Sequence, residues 1–477
     1  MRKLIVWLLP VLILAACNSF EPIRIVITPT PAPTDASVAA VATATTVVQP
    51  SPEPVTATSA ATATPLPTQT PPPTRTPIPG DGSFIGSILR PDYTITPPAT
   101  STPTLIPTLD PSAVFPSPTP YVPVAGRLDP LAMGLQIYYN MGWDEFADML
   151  WLAQQTRVGW VKLQLDWSTM QPHGPGEKSD VFNAFVLQVQ RAKNFGFKVL
   201  LSVAKAPAWA RGGETREDGP PANPQDLINF LQLLFTDIKI ENIDALEIWN
   251  EPNLLREWRG VYPLTGAGYM QLFIPVREAM RALYPSVHLI TAGLAPTGNS
   301  AGSVDDRVFL QQMFDAGLGN YPDVSVGVHP YGWWNPPDAR CCNPSSDRGW
   351  DDNPHFFFIE TIDAYRDIMN RNGFSEVQMW ITEFGWPTWD GFGVEPPEAW
   401  MGYTSPEQQA EYTLRAFEIG QSRPDIGPMI LWNFNFANET LINNRDEMAG
   451  FSLLAPNMIE EGLIVRPLYI ALRDRPQ

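Results

Sequence analysis

The sequence predicts an α/β fold, a (β/α)8 TIM barrel, over residues 126–477. Three observations predict it. Short apolar runs of strand length recur along this stretch, stretches of helix length separate them, and no internal repeat interrupts the alternation. The competing open, doubly wound sheet usually shows a glycine-rich phosphate turn after its first strand, and none follows Tyr138.

The runs with strand character are Met133–Tyr138, Trp160–Leu165, Lys198–Val203, Ala245–Trp249, His288–Ala292, Val324–Val328, Val377–Ile381 and Met429–Trp432. Between them lie the helical stretches Asp144–Gln155, Phe182–Asn194, Gln225–Ile238, Gly268–Leu283, Arg307–Phe314, Phe358–Asn370 and Pro406–Ile419. Pro224 before Gln225-Asp226, and Ser405-Pro406-Glu407, have the form of helix starts, because proline is pre-set for the first helical turn.

Two segments precede the barrel. Residues 1–16 form a signal segment, with Arg2 and Lys3 ahead of an apolar run, Leu4 to Ala16, that is too short to span a bilayer. Its end, Leu14-Ala15-Ala16-Cys17, resembles the lipobox of bacterial lipoproteins, which implies that Cys17 is lipidated and becomes the new N-terminus. An ordinary secretory signal cut near Ala16 is the alternative. Either way the mature protein is expected outside the cytoplasm, and in the first case it is lipid-anchored to the bacterial cell membrane. Residues 17–125 then hold Cys17 and a stretch rich in Pro, Thr, Ala and Ser, with few charges and no sustained periodicity. Such a chain cannot bury enough apolar surface to offset its ordering entropy, so a disordered, semi-rigid spacer is expected. The apolar island Ser83–Leu89 within it has no role assigned beyond a docking contact.

The 477-residue chain has a formal net charge of -19, nearly all of it beyond residue 125. That balance excludes nucleic acid and electrostatic attachment to anionic lipid, and it fits a soluble surface that meets neutral substrates. A monomer is expected. Of the 3 cysteines, Cys341 and Cys342 are adjacent. They close a strained vicinal disulfide or stay as two thiols, and both readings remain open. The four histidines, His173, His288, His329 and His355, show no metal-ligand spacing. Neither a metal nor a cofactor is expected.

Two strings end predicted strands in a glutamate: Ile248-Trp249-Asn250-Glu251-Pro252-Asn253 on the fourth, and Trp380-Ile381-Thr382-Glu383-Phe384-Gly385-Trp386 on the seventh. Catalytic groups of such barrels sit at the C-terminal ends of strands, so these two carboxylates are placed to face one another across the mouth. A facing pair of carboxylates is the minimum equipment for cleaving a glycosidic bond. Glu247 lies inside its strand, four residues before Glu251, and is expected in a buried ion pair.

Trp249-Asn250-Glu251-Pro252 and Thr382-Glu383-Phe384-Gly385 resemble the acid/base and nucleophile motifs of the clan A glycoside hydrolases, (β/α)8-barrel enzymes, with families 5 and 39 nearest in flavour. The resemblance covers residues 126–477 and rests on the two motifs together. It implies that Glu251 is the general acid/base and Glu383 the nucleophile of a retaining enzyme that cleaves O-glycosidic bonds of a β-linked glycan by double displacement. It further implies that Asn250 contacts the sugar 2-hydroxyl. In Gly327-Val328-His329-Pro330-Tyr331-Gly332, His329 would line the sugar site and Tyr331 would donate to Glu383. In Ile430-Leu431-Trp432-Asn433, Trp432 would floor the pocket and stack on a pyranose. Among the loop aromatics Tyr138, Trp167, Trp209, Trp333, Trp334, Trp386 and Trp389 some are expected as further stacking subsites, Trp386 and Trp209 first. One position departs from the pattern: where many members carry an arginine on strand two, five residues before a tryptophan, this chain has Lys162 before Trp167. Lysine supplies charge without the bidentate fork.

The partners that follow are an oligo- or polysaccharide substrate and a membrane reached through the lipid on Cys17. Two other functions remain open: a glycan-binding lipoprotein without turnover on the same barrel, and a transglycosylase remodelling a cell-surface glycan.

Overall fold

The structure, a computed structural model, describes residues 128–342, 344, 348–458 and 462–476. The expectations for the signal segment, for Cys17 and for the spacer lie outside the described residues. Among the described residues eight parallel strands form one sheet: β1 (Met133–Gln136), β2 (Trp160–Asp166), β3 (Lys198–Ala204), β4 (Ala245–Ile248), β5 (His288–Thr291), β6 (Val326–Val328), β7 (Met379–Phe384) and β8 (Ile426–Leu431). Their order is β5-β4-β3-β2-β1-β8-β7-β6. The bridge Ile290–Ser325 joins the outer two, with Thr291 N–H donating to Ser325 O at 3.0 Å, so the sheet closes on itself. This is the barrel that the alternation predicts.

Helices cover the outside: α1 (Trp143–Gln155), α2 (Asp180–Asn194), α3 (Pro224–Ile238), α4 (Gly266–Leu283), α5 (Asp306–Asp315), α6 (Phe358–Arg371), α7 (Pro406–Gln421) and α8 (Pro467–Asp474). The first seven overlap the seven predicted stretches, and two of the starts follow the predicted chemistry. Asn223 caps α3 ahead of Pro224. Ser405 and Gln408 form a reciprocal capping box on α7, satisfying backbone donors that a helix start otherwise leaves unpaired. The eighth helix, α8, packs on α7 and was not anticipated, although Pro467 at its first turn was a usable signal.

Alternation along the strands builds the barrel interior in layers. Outward residues such as Val161, Leu163, Leu246 and Ile248 join the helix-facing core. Inward residues at the N-terminal end are apolar, with Trp160, Leu200, Ala245, Ile290, Trp380 and Ile430 in one cluster. Two residues further along the same faces the interior turns polar: Lys162 follows Trp160, Ser202 follows Leu200, Glu247 follows Ala245 and Thr382 follows Trp380. All four are buried. The C-terminal end of the barrel therefore stands on a polar layer, which in turn stands on an apolar plug.

Loops after β6, β7 and β8 fold into a second apolar cluster at the C-terminal end, including Trp333, Trp350, Phe356, Trp389, Trp400 and Phe451. The sulfurs of Cys341 and Cys342, in the loop after β6, are bonded. Several of the candidate stacking aromatics are core residues, Trp386 among them. Trp333 and Trp389 are buried in this second cluster, and Trp386 is buried behind β7 against Phe358, Phe384 and Tyr412. Trp167 packs on Phe230. Only Tyr138, Trp209 and Trp334 of that group are half-buried.

Candidate active site

The chain leaves β4 through two residues with left-handed backbone, Trp249 at φ 79° and Glu251 at φ 40°. Neither is glycine, so each conformation costs on the order of 1–3 kcal/mol and must be held by its surroundings. The Trp249 indole N–H donates to Glu257 O at 3.0 Å, and Glu251 N–H donates to Gly293 O at 3.0 Å. The turn aims the Glu251 carboxyl into the barrel mouth.

Glu383 reaches the same place from β7. Glu251, His329 and Glu383 each offer an atom to one spot, and these atoms all lie within 4.8 Å of one another. Residues 132 positions apart in sequence are thus a few ångströms apart in space.

The surroundings of the two carboxylates differ. Both oxygens of Glu383 are engaged: Lys162 Nζ is 2.9 Å from Oε1, and the Tyr331 hydroxyl donates to Oε2 at 2.9 Å. Glu251 has one oxygen held, Oε1, at 3.1 Å from His329 Nδ1. Its Oε2 accepts no hydrogen bond from the protein, and the nearest cation, Arg256, stands 3.7 Å away. Beside it the buried Asn250 Oδ1 also lacks a protein partner. Two acceptors with no protein donor lie next to each other in the chain.

His329 bridges the pair from β6. Its Nε2 faces Thr382 Oγ1 at 3.1 Å. Burial opposes its charge, but Glu383, Glu247 and Glu251 overcome that and push its pKa up to about 9. At neutral pH the ring is an imidazolium. Burial, and then the Glu383 charge, push the Tyr331 hydroxyl well above its usual range, so it stays a donor.

Lys162 and Glu247 form the ion pair expected for Glu247, with Nζ 2.9 Å from Oε2 and both side chains fully buried. Burial works against Lys162, yet Glu247 and Glu383 raise its pKa, so the ammonium persists. Burial alone would raise Glu247; Lys162 and His329 outweigh it and hold the carboxyl well below the usual carboxylate range.

Among the described residues two clusters hold donor atoms that could surround an ion, which the scattered histidine spacing did not suggest: Glu251, His329 and Glu383, and separately Asp305, Asp306 and His355. In the first, the Lys162 ammonium already supplies the positive charge at Glu383, and a protonated His329 has no lone pair to give. In the second, the two ring nitrogens of His355 face different carboxylates, Nε2 to Asp305 at 3.1 Å and Nδ1 to Asp306 at 2.9 Å. Burial is again outweighed, here by Asp305 and Asp306, and the pKa rises to about 9. The ring itself is the cation between two aspartates.

The structure thus brings Asn250, Glu251, His329, Tyr331 and Glu383 together. Trp432, which follows β8, is 1% exposed, as buried as Asn250 and Tyr331, and packs edge-on against Tyr331, Phe436 and Phe451, so it backs Tyr331. Lys162, which stands where the resemblance places an arginine that supports the nucleophile, is a direct neighbour of Glu383. That neighbourhood spans the barrel from β2 to β7, which spacing along the chain does not reveal.

No family model matches the chain, and no curated protein matches it. Among solved structures it is similar to a family 39 glycoside hydrolase from the gut symbiont Bacteroides cellulosilyticus WH2, at 18% identity over 72% of this chain, with a TM-score of 0.51. The chain spans 63% of that protein's length. It is also similar to the Ignisphaera aggregans GH53 catalytic domain, at 15% identity over 74% of this chain and 98% of that one, with a TM-score of 0.50. At these identities the likeness is one of fold: the chain shares the (β/α)8 barrel on which these two glycoside hydrolases are built.

Proposed function

We propose that the protein is a retaining glycoside hydrolase acting on a β-linked glycan, with Glu383 as nucleophile and Glu251 as acid/base. The observation that carries this reading is the unequal treatment of two carboxyl groups within 4.8 Å of each other. Glu383 takes donors on both oxygens, which favours the ionised form an attacking group needs. Glu251 keeps Oε2 without a protein donor, so that oxygen is available to the glycosidic oxygen. One oxygen of each carboxyl lies within 4.8 Å of one of the other, which supports the close pairing of a retaining enzyme, about 5–5.5 Å between carboxyl groups, over the about 6.5–9.5 Å that admits a water.

In the first step Glu383 attacks the anomeric carbon as the bond to the leaving oxygen breaks, and Glu251 gives that oxygen its proton. A glycosyl ester on Glu383 results. In the second step water attacks the same carbon, Glu251 takes a proton from it, and the ester bond to Glu383 breaks. Asn250 Oδ1, lacking a protein donor, accepts from the 2-hydroxyl, a contact that strengthens in the transition state. The structural neighbours support a carbohydrate substrate by their fold. Lipidation at Cys17, an extracytoplasmic location and a monomeric state complete the proposal, on the sequence alone.

The test is azide rescue of a Glu383→Ala variant on an aryl β-glycoside. An inactive variant that azide restores, giving the α-glycosyl azide, supports Glu383 as the nucleophile. Full hydrolytic activity of the variant without azide overturns the reading.

A further inference from the structure

Three buried carboxylates, not two, share the polar interior beneath the mouth. Glu247 is fully buried and offers nothing to a substrate, and the pair Lys162–Glu383 would be neutral without it. A buried ion pair is seldom a net gain over apolar packing, so a third buried carboxylate on this lysine calls for a physical account.

The geometry supplies one. An ammonium has three hydrogens: Lys162 Nζ hydrogen-bonds Glu383 Oε1 at 2.9 Å and Thr382 O at 3.3 Å, and Glu247 Oε2 stands beside it as an ion-pair partner, also at 2.9 Å. The ammonium is equidistant from the two carboxylates. The other oxygen of Glu247 accepts Gly293 N–H at 3.1 Å and lies 3.8 Å from His329 Nε2. His329 in turn touches Glu251. The two proposed catalytic carboxyl groups are therefore joined through the barrel interior by a run of contacts: Glu383, Lys162, Glu247, His329, Glu251.

We infer that Glu247 is a positioning residue which sets the ionisation of Glu383 by drawing half of the Lys162 ammonium away from it; this rests on the assignment of Glu383 as nucleophile. A carboxylate paired too closely with a cation is easily ionised but a weak attacking group. One left without a cation in a buried site is harder to ionise. Dividing the lysine between two carboxylates places Glu383 between these limits. The charged and titratable groups that face Glu247 are Lys162 from β2, His329 at the end of β6 and the Tyr269 hydroxyl from α4. Glu247 sits on β4, four residues before Glu251, so the strand that presents the acid/base also carries the group that tunes its partner.

The experiment is the pH dependence of kcat/KM for Glu247→Gln in the full chain. Removing this negative charge lets Lys162 lean wholly on Glu383 and removes a like charge from its neighbourhood. Both changes ease ionisation, so the acid limb moves to lower pH by about one unit, with kcat reduced and KM within about twofold. Should this variant not fold, Glu247→Asp, which withdraws the carboxylate by one methylene, gives a smaller shift of the same sign. A purely structural role would lower stability or kcat and leave the limb in place. An acid limb that coincides with that of the wild type, in whichever variant folds, overturns the inference. Glu383→Ala measured alongside separates the two readings: if it retains turnover, the nucleophile assignment fails first.

Discussion

Tyr331 and Lys162 hold Glu383 from opposite oxygens, at 2.9 Å each. The tyrosine is backed by Trp432 and Phe451, ring to ring at 6.1 and 5.7 Å, so its hydroxyl has little freedom to point elsewhere. For Tyr331→Phe the shape is kept and one hydrogen bond to a charged group is lost, worth about 1.5–3 kcal/mol. The expected result is a fall in kcat/KM of roughly 10- to 100-fold with the fold intact. A variant within twofold of the wild type would show that Tyr331 does not orient Glu383.

Removing Lys162 should act in the opposite direction to removing Glu247. In Lys162→Met the cation beside Glu383 is gone, the carboxyl is harder to ionise, and the acid limb of kcat/KM moves up by about one unit or more. Glu247 is left buried without its partner, which costs about 3–5 kcal/mol. A thermal melt and a pH profile on the same preparation check both statements. A melting temperature and an acid limb both matching the wild type would contradict them.

The barrel was legible because its strands are apolar runs and its helices begin with caps, both local signals. Glu251 and Glu383 were legible because each closes such a run. What escaped was the choice of partners across the barrel: Lys162 lies on β2, Glu247 on β4 and His329 at the end of β6, and which of them meet depends on barrel closure, which no local pattern encodes. The burial of Trp386 escaped for a related reason. Loop position suggested exposure, whereas long loops after β6, β7 and β8 contain enough aromatic residues to build their own core.

Glu251→Ala should separate substrates by leaving group. Where the departing oxygen needs a proton, activity falls by about 100- to 10,000-fold, the usual share of acid–base catalysis. Where the leaving group is a stabilised phenolate, the first step survives and the covalent intermediate accumulates, seen as a burst. Equal losses on both kinds of substrate would place the proton donor elsewhere.

Gly293 permits the His329 position. A Cβ built there would lie 2.1 Å from His329 Nε2 and 2.8 Å from Thr382 Oγ1, so Gly293→Ala must displace the imidazole. Overpacking of this kind costs about 1–3 kcal/mol. The expected outcome is a lower melting temperature together with a fall in kcat of at least about tenfold, since Glu251 loses its partner. A stable variant with unchanged kcat would mean that His329 is not needed where it stands.

Stability should fall on the alkaline side, and the sign follows from two histidines. His329 and His355 are both raised to about 9 in the folded state, against about 6.5 unfolded. The folded form therefore holds these protons more tightly. The stabilisation is fully present below about 6.5 and is lost as pH rises through about 9, each site contributing on the order of 2–3 kcal/mol. Glu257, raised to about 8 by burial despite Arg256 and Lys205, slopes the same way from about 4.3 upward. His288, lowered to about 4 by burial and by Arg281, acts oppositely: its contribution is present above about 6.5 and is lost as pH falls through about 4. Melting temperature should therefore decline steadily from about pH 7 to 10. In His355→Gln the decline should be shallower, because one of the two histidine contributions is gone while Lys162, Glu247 and His329 are untouched. A slope equal to that of the wild type would mean that His355 is not the cation between Asp305 and Asp306.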